Sequence, residues 1–302
     1  MAISLSTDKT DNRQKEILEY GTIDFPIAFF DDDLTIVKVP WHWHEELEII
    51  YILDGEVAIN IAGDEFVLQK GEGYFINRSV LHSTKLLSNK GWQHAMVFSP
   101  DIIARKGDII YNSYLKPLFD GQTISYIKLV GSVPWQRKIL ELAEQAWQSG
   151  AYERKDYPLT VRNNLSQCVA LILENIKRDK FSTSTLSEKE DTRIKDALNY
   201  IETNYKEQIT INDIAKCANI SVSTLLKLFH EVMHTTPIKF LIDYRLDKIY
   251  DELLYNQSKP INEIAFCNGF NDPSYFNRCF KAKYGMTPSE YRNFTFTRIR
   301  ET

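Results

Sequence analysis

The feature that most restricts what this chain can fold into is a unit that occurs twice near its C-terminal end. Ile211-Asn212-Asp213-Ile214-Ala215, followed by Cys217, recurs fifty positions later as Ile261-Asn262-Glu263-Ile264-Ala265, followed by Cys267. With one extra residue in the turn, Leu225, Lys227 and Phe229 match Phe276, Arg278 and Phe280, and each copy closes on Thr-Pro, at Thr236-Pro237 and Thr287-Pro288. Two copies at a fixed period signal a duplicated supersecondary unit.

Each copy reads as two short helices around a tight turn. In the second copy Ile261, Ile264 and Ala265 have helical spacing, and Gly269 is the residue type that ends a helix in the left-handed conformation. Asp272 is placed to N-cap the following helix, with Pro273 in the first-turn slot where its missing N–H costs nothing. Asn219 takes the turn position in the first copy and Ser221 the cap. Phe276 and Phe280, like Leu225 and Phe229, are four apart and share one helix face, toward a core. The pattern is a helix-turn-helix, whose second helix can enter a DNA major groove.

The segment Ile264 to Arg292, IAFCNGFNDPSYFNRCFKAKYGMTPSEYR, resembles the signature of the AraC/XylS family of transcription regulators. The resemblance covers about 191–297. It implies two helix-turn-helix units joined by a rigid helix, about Ile238 to Leu254, that read adjacent major-groove segments of operator DNA. One departure is Ile249, where the family usually has a small Ala; local repacking is expected there, with no change of fold.

Charge qualifies this reading. The chain carries 36 Lys/Arg against 41 Asp/Glu, a net −5. Residues 191–302 hold 15 Lys/Arg against 14 Asp/Glu, leaving 21 against 27 in residues 1–190. The charge facing DNA is therefore expected to be local, from Lys227, Arg278, Lys281 and Lys283. Sequence readout then carries more of the discrimination than a general field. Four cysteines, at 168, 217, 267 and 279, show no zinc spacing and read as reduced thiols of a cytoplasmic protein. The first residues are polar, and no stretch reaches the roughly 18 apolar residues of a membrane span, so no leader and no membrane partner are expected.

Residues 20–128 read as a β domain. Short runs (Ile23–Phe30, Leu47–Leu53, Val57–Ile61, Glu65–Leu68, Gly73–Ile76 and His94–Phe98) alternate with turn signals such as Asp54-Gly55, Gly63-Asp64 and Lys70-Gly71. That spacing suggests a sandwich or barrel. Asp31-Asp32-Asp33 reads as a solvated loop. His42, His44 and Glu48 share one parity, so on a strand they would point to one side of the sheet. Trp41, Trp43, Tyr51, Tyr74, Phe75 and Trp92 lie near them in sequence, a mixture suited to a small organic effector or to plain sheet packing.

The spacing His-x-His-x3-Glu-x6-Gly, with Gly71 and His82 later, resembles the two motifs of the cupin barrel, although Asn77 stands where the second motif often has Pro. The resemblance implies that His42, His44, Glu48 and His82 occupy the positions that bind one metal in metal-binding cupins. Three imidazoles and a carboxylate suit a divalent transition metal such as Zn, Mn, Fe or Ni. The same residues also suit a metal-free lining of a small-molecule pocket, or a buried structural role. No cofactor follows with certainty.

From Val133 to Lys180 the apolar period becomes helical. Ile139, Leu142, Ala143 and Ala146 form one stripe; after a break at Ser149-Gly150, Val161, Leu165, Cys168, Val169, Ile172 and Ile176 form another. The helices could cover the barrel or pair with a second subunit, and the family resemblance favours a homodimer. Phe181–Glu190, rich in Ser and Thr, reads as a linker.

The expected organisation is thus multidomain α and β: an N-terminal arm (1–19), a cupin-like ligand-binding β-barrel (20–132), a helical dimerisation segment (133–180), a linker (181–190) and an all-α double helix-turn-helix domain (191–302). The first recognition helix would expose Ser223, Thr224, Leu226 and Lys227 to DNA, and the second Ser274, Tyr275, Asn277 and Arg278. Arg278 suits bidentate contact with guanine, Asn277 adenine, Lys227 guanine or phosphate, and Leu226 a thymine methyl. The function implied is a cytoplasmic, non-enzymatic transcription regulator whose barrel senses a small-molecule effector, a sugar being one candidate; an activator of this kind would also contact RNA polymerase. The competing class is a cupin metalloenzyme, a dioxygenase or isomerase, with an appended DNA-binding domain. Against it, no further acid, base or nucleophile is legible.

Overall fold

The computed structural model describes residues 3–4, 25–119, 124–176, 187–256 and 258–293. Most of the expected arm, the start of the first expected strand, residues 181–186 of the expected linker and the end of the family segment lie outside them. The chain divides into two compact units, Met1–Ser187 and Glu188–Thr302.

The first unit contains two sheets among the described residues. One runs in the order β1 (Ile3–Ser4), β2 (Ile27–Asp33), β9 (Trp92–Phe98), β4 (Leu47–Asp54), β7 (Gly73–Ile76) and β10 (Tyr126–Leu129); the other runs β3 (Val39–His42), β8 (His82–Leu86), β5 (Glu56–Ile61) and β6 (Asp64–Gln69). Alternation along the strands sends Ala28, Phe30, Ile50, Ile52, Tyr74, Ile76, Ala95 and Val97 of the first sheet into one core with Val57, Ile59, Ile61 and Leu68 of the second. The intervening residues, Ile27, Phe29, Leu47, Ile49, Phe75, Met96 and Phe98, enter a second core with the helices. The two-residue period therefore builds a two-sided first sheet, buried on both faces. The aromatic group near the motif divides accordingly: Tyr74 faces the inter-sheet core and Phe75 the opposite one.

Four strands escape a reading of apolar runs: β1, β3, β8 and β10 are short or polar. A helical insertion also interrupts the β domain, with a 3-10 turn at Pro100–Ile102, a π-helical turn at Tyr111–Leu115 and α1 at Lys116–Phe119.

The aspartate run is not a loop. Asp31, Asp32 and Asp33 complete β2, paired with His94, Gln93 and Trp92 of β9. Trp92 Nε1 and Gln93 Nε2 donate to Asp31 and Asp32, and only Asp33 begins a turn, accepting from the Thr35 backbone at 2.9 Å. Cross-strand donors thus offset the poor strand propensity of Asp.

The helical segment forms α2 (Pro134–Ala151) and α3 (Tyr157–Ile176), whose apolar stripes join the core on the outer face of the six-stranded sheet. The expected break at Ser149-Gly150 is absent, because α2 continues through both residues and the chain turns at 152–156. Gly150 is required by packing: a Cβ there would lie 2.1 Å from the Phe29 ring. Trp147 Nε1 donates to the Phe30 carbonyl at 3.0 Å, and His94 Nδ1 lies 2.9 Å from Glu144, tying the helix to β2 and β9.

The second unit holds α4 (Glu188–Asn204), α5 (Ile211–Cys217), α6 (Val222–Met233), α7 (Pro237–Tyr255), α8 (Ile261–Cys267) and α9 (Pro273–Tyr284). The last three residues of the expected linker already belong to α4. The local signals read from sequence recur in place. Ser221 and Asp272 cap α6 and α9, and Asn219 and Gly269 turn the chain at φ 53° and 88°. Ile249 is buried on α7 among Leu246, Leu253, Ile264 and Phe280, accommodated without disturbing the helix.

Replacing Gly150 by Ala is expected to destabilise the protein by about 1–3 kcal/mol, since the Phe29 ring is buried and cannot swing aside. An unchanged urea midpoint for Gly150→Ala would show that the helix can lift off the sheet without loss.

Candidate nucleic-acid interface and candidate metal centre

In each duplicated unit the apolar face of the second helix is consumed by packing, which leaves the opposite face outward. Leu225, Leu228, Phe229, Val232 and Met233 bury one side of α6, as Phe276 and Phe280 do for α9. Ser223, Leu226, Lys227, Ser274, Tyr275, Asn277 and Arg278 are exposed, whereas Thr224 is half-buried.

Their local bonds sort them. Arg278 makes no ion pair among the described residues, and Lys227 has only a loose contact with Glu231 at 3.7 Å, of little energetic weight on an open surface. Ser223 and Thr224 lie 2.9 Å from the Ser221 hydroxyl and belong to the cap of α6. Asn277 donates to the Pro273 carbonyl of its own helix at 2.9 Å, so its amide would have to turn outward to read a base. Lys283 departs from expectation. Its Nζ contacts the Asp247 carboxylate at 2.6 Å and the Asp243 carbonyl at 2.8 Å, so it pins α9 to α7 instead of adding to an outward field.

The histidine–glutamate residues meet inside the first unit. They do so by a different route from a single strand: His42 ends β3, Glu48 lies on β4 in the other sheet, and His44 sits in the crossing between them. His82 opens β8 directly opposite His42. All four are buried, and one ligand atom from each falls within 4.8 Å of the others. Nε2 of His44 and of His82 lie 3.0 and 3.1 Å from the same Glu48 oxygen.

Backbone carbonyls fix the rings. Nδ1 of His42 lies 2.8 Å from the Pro40 carbonyl, that of His44 3.1 Å from Glu46, and that of His82 2.8 Å from Val80. A carbonyl only accepts, so in each ring Nδ1 carries the proton. In the neutral ring Nε2 is then a lone pair, the tautomer used for metal ligation through Nε2. Nε2 of His82 is buried and has no hydrogen bond despite its closeness to Glu48. Where Nε2 also carries a proton, as the 3.0 Å hydrogen bond between His44 and Glu48 requires, the ring is a cation paired with the carboxylate; a divalent transition metal would take the place of such protons, so the residues fit one. His42, His44, Glu48 and His82 would hold such an ion, since one ligand atom from each already lies close to the others.

Electrostatics agree. Burial pushes the Glu48 carboxyl up, but the contacts with His44 and His82 outweigh it and hold the group well below the usual carboxylate range. Burial, then the neighbouring His82, depresses the His42 imidazole well below 6.5. Close by, the buried Tyr74 hydroxyl lies 3.0 Å from Thr84 Oγ1, and burial followed by the Glu48 charge keeps it protonated. The Ser79 N–H donates to the His44 carbonyl at 2.7 Å, and Arg78 Nε donates to Glu45 at 2.6 Å. Asn77, which stands where the second cupin motif often has Pro, donates to the Leu118 and Ile124 carbonyls at 2.8 and 2.9 Å and so ties this loop to the helical insertion. Tyr74 was legible only as one aromatic among several, and nothing local marks Thr84 or Arg78.

Comparison with known proteins finds relatives for both units. Residues 26–108 match the AraC-like ligand binding domain, and residues 214–293 match a helix-turn-helix domain. The regulator YdeC of Bacillus subtilis is 27% identical over 93% of this chain and 97% of its own length. LumQ of Photobacterium leiognathi, a probable transcriptional regulator, is 29% identical over 92% of this chain and 99% of its own. The lactose operon transcription activator of Staphylococcus xylosus is 27% identical over 80% and 82%. The chain belongs to the AraC family of transcription regulators, with a ligand-binding domain followed by a DNA-binding helix-turn-helix domain. Among the described residues no helix is long and apolar enough to cross a membrane.

A pH dependence follows from His42. Its folded-state value is depressed, so below about 6.5 the unfolded chain takes a proton that the folded site refuses. Chelator-treated protein is therefore expected to lose stability as pH falls below 6.5, by about 1.4 kcal/mol per unit at most for this one group. His42→Gln should remove that slope; equal slopes in urea titrations of both proteins between pH 5 and 7 would count against a neutral buried His42.

Proposed function

We propose that this regulator binds operator DNA through α6 and α9 in adjacent major-groove segments, and that its barrel senses a small-molecule effector at a divalent metal held by His42, His44, Glu48 and His82. The observation that carries the sensor reading is the pinning of three Nδ1 protons by backbone carbonyls, with Nε2 of His44 and of His82 set against one Glu48 oxygen and His42 within reach of the same point. When bound, the ion (Zn, Mn, Fe or Ni) supplies a cationic point for an oxygen-bearing effector. Tyr74 and Thr84 offer hydroxyls to the same ligand. A sugar suits such a lining, and the name of the lactose operon relative supports that class. Without a metal, the same four residues would act as hydrogen-bonding walls of an organic-ligand pocket. That second reading is favoured by the Tyr74–Thr84 pair.

The protein acts in the cytoplasm as a non-catalytic switch; the relatives' names as transcription regulators support this over a metalloenzyme with an added DNA-binding domain. The working boundaries are 20–132 for the sensor, 133–180 for a helical segment, and 191–302 for the DNA-binding domain. The apolar stripes of α2 and α3 are spent on the sheet, so a homodimer would use the outer surface of α3, where Leu159 is exposed, and the α2–α3 turn, where Tyr152 is exposed. Contact with RNA polymerase belongs to the same reading if the output is activation. Effector binding changes DNA binding only by the difference in its affinity for the two domain arrangements.

Of the seven exposed candidates, Arg278 suits bidentate guanine contact best. Arg278→Ala is expected to cost roughly 1–3 kcal/mol of specific binding. Unchanged discrimination between operator and random duplex, read by fluorescence anisotropy, would remove Arg278 from the interface. His44→Ala is expected to abolish the metal- or effector-induced thermal shift of the full chain while leaving operator affinity in the unliganded state unaltered. A full shift in that variant would exclude His44 from the site.

A further inference from the structure

The turn residues of the two helix-turn-helix copies, Asn219 and Gly269, occupy equivalent places and share a left-handed backbone. Asn219 is exposed, whereas Gly269 is buried. The cause is local. A Cβ on Gly269 would stand 2.6 Å from the Tyr205 carbonyl oxygen and 2.7 Å from Nε of Arg245. No side chain fits there, so the second turn is seated directly on the end of α4 and on α7.

Arg245 is the centre of this contact. Only 8% exposed, it donates from Nε to the Tyr205 carbonyl and from Nη2 to the Glu207 carbonyl, both at 2.6 Å. Its guanidinium also lies 6.0 Å from the centroid of the Phe270 ring, in the second unit. The two carbonyls follow the C-terminal end of α4, where the helix leaves partial negative charge, so a buried cation is stabilised there without a carboxylate. Gln208 adds a bond from Nε2 to the Gly269 carbonyl at 3.1 Å. Two residues along α7, Asp247 receives Lys283 and Tyr284 of α9 at 2.6 and 2.7 Å. One short stretch of α7 therefore grips the α4–α5 loop that leads into the first helix-turn-helix copy and both the turn and the recognition helix of the second copy.

We propose that Arg245, with Gln208 and Gly269, is a positioning junction that fixes the separation and rotation of α6 relative to α9, and so sets the spacing between the two half-sites that the protein accepts. The proposal rests on the reading that both helices enter DNA. Lysine cannot replace the guanidinium, because two carbonyls are met by two donors of one rigid fork. Each base pair added between half-sites rotates one against the other by roughly a tenth of a turn. A stiff junction accepts one spacing, and a loosened one accepts several.

The test is selection of bound sequences from a pool of random-sequence DNA duplexes, using the full-length protein. The wild type is expected to retrieve two motifs at one separation. Arg245→Lys is expected to retrieve the same motifs at scattered separations. Its preference for the original spacing over one base pair more should fall from about tenfold, the effect of a typical single mismatch, to under about threefold. Intact motifs at one unchanged separation in Arg245→Lys overturn the proposal. A single motif from the wild type overturns it together with the two-helix reading beneath it. If Arg245→Lys fails to fold by circular dichroism, Gln208→Ala carries the same comparison: scattered separations support the junction and a single separation overturns it.

Discussion

Helices of seven residues, α5 and α8, cannot bury an apolar face by themselves, and the DNA-binding half depends on α7 to do it for both. The N-terminal part of α7 meets the first helix-turn-helix copy, with Phe240 packed edge-on to Phe229, and its C-terminal part places Leu246, Ile249 and Leu253 against Ile264, Phe276 and Phe280 of the second copy. Polar contacts then fix what apolar packing leaves free to slide, through Asp247 on one side and Arg245 on the other. Duplication supplied two helix-turn-helix copies. The shared helix packs against both.

The ligand-binding half depends on a different constraint. Burial of three imidazoles around one carboxylate is costly unless every nitrogen is accounted for. The fold settles one nitrogen of each ring with a carbonyl two residues away, and it turns the remaining donors inward. The loops that do this are themselves held from outside, by Ser79 on His44 and by Asn77 on the helical insertion. These bonds join the cluster's loops to the helical insertion between β9 and β10.

Much of the architecture was legible from local chemistry. The caps at Ser221 and Asp272, the turns at Asn219 and Gly269, and the connecting helix follow from short-range rules that tertiary packing did not override. The histidine cluster was legible from spacing, although not for the reason of strand parity: the residues come from two sheets and a crossing, and only the fold brings His82 to Glu48. The aspartate run was misread because its cross-strand donors, Trp92 and Gln93, are sixty positions away. Ser149-Gly150 looked like a break because the demand for a glycine came from Phe29, over a hundred residues distant. Arg245 was invisible for the same reason, since its partners are backbone carbonyls, which carry no sequence signature.

The most direct measurement is the metal content of the full-length protein, purified without a metal-affinity tag and analysed by inductively coupled plasma mass spectrometry, before and after incubation with Zn, Mn, Fe and Ni salts and dialysis. About one transition metal per chain, lost in a His82→Ala variant that stays folded, is the expected result. No bound metal under any of these loadings would contradict the metal reading, and would leave His42, His44, Glu48 and His82 as the polar wall of an organic-ligand pocket.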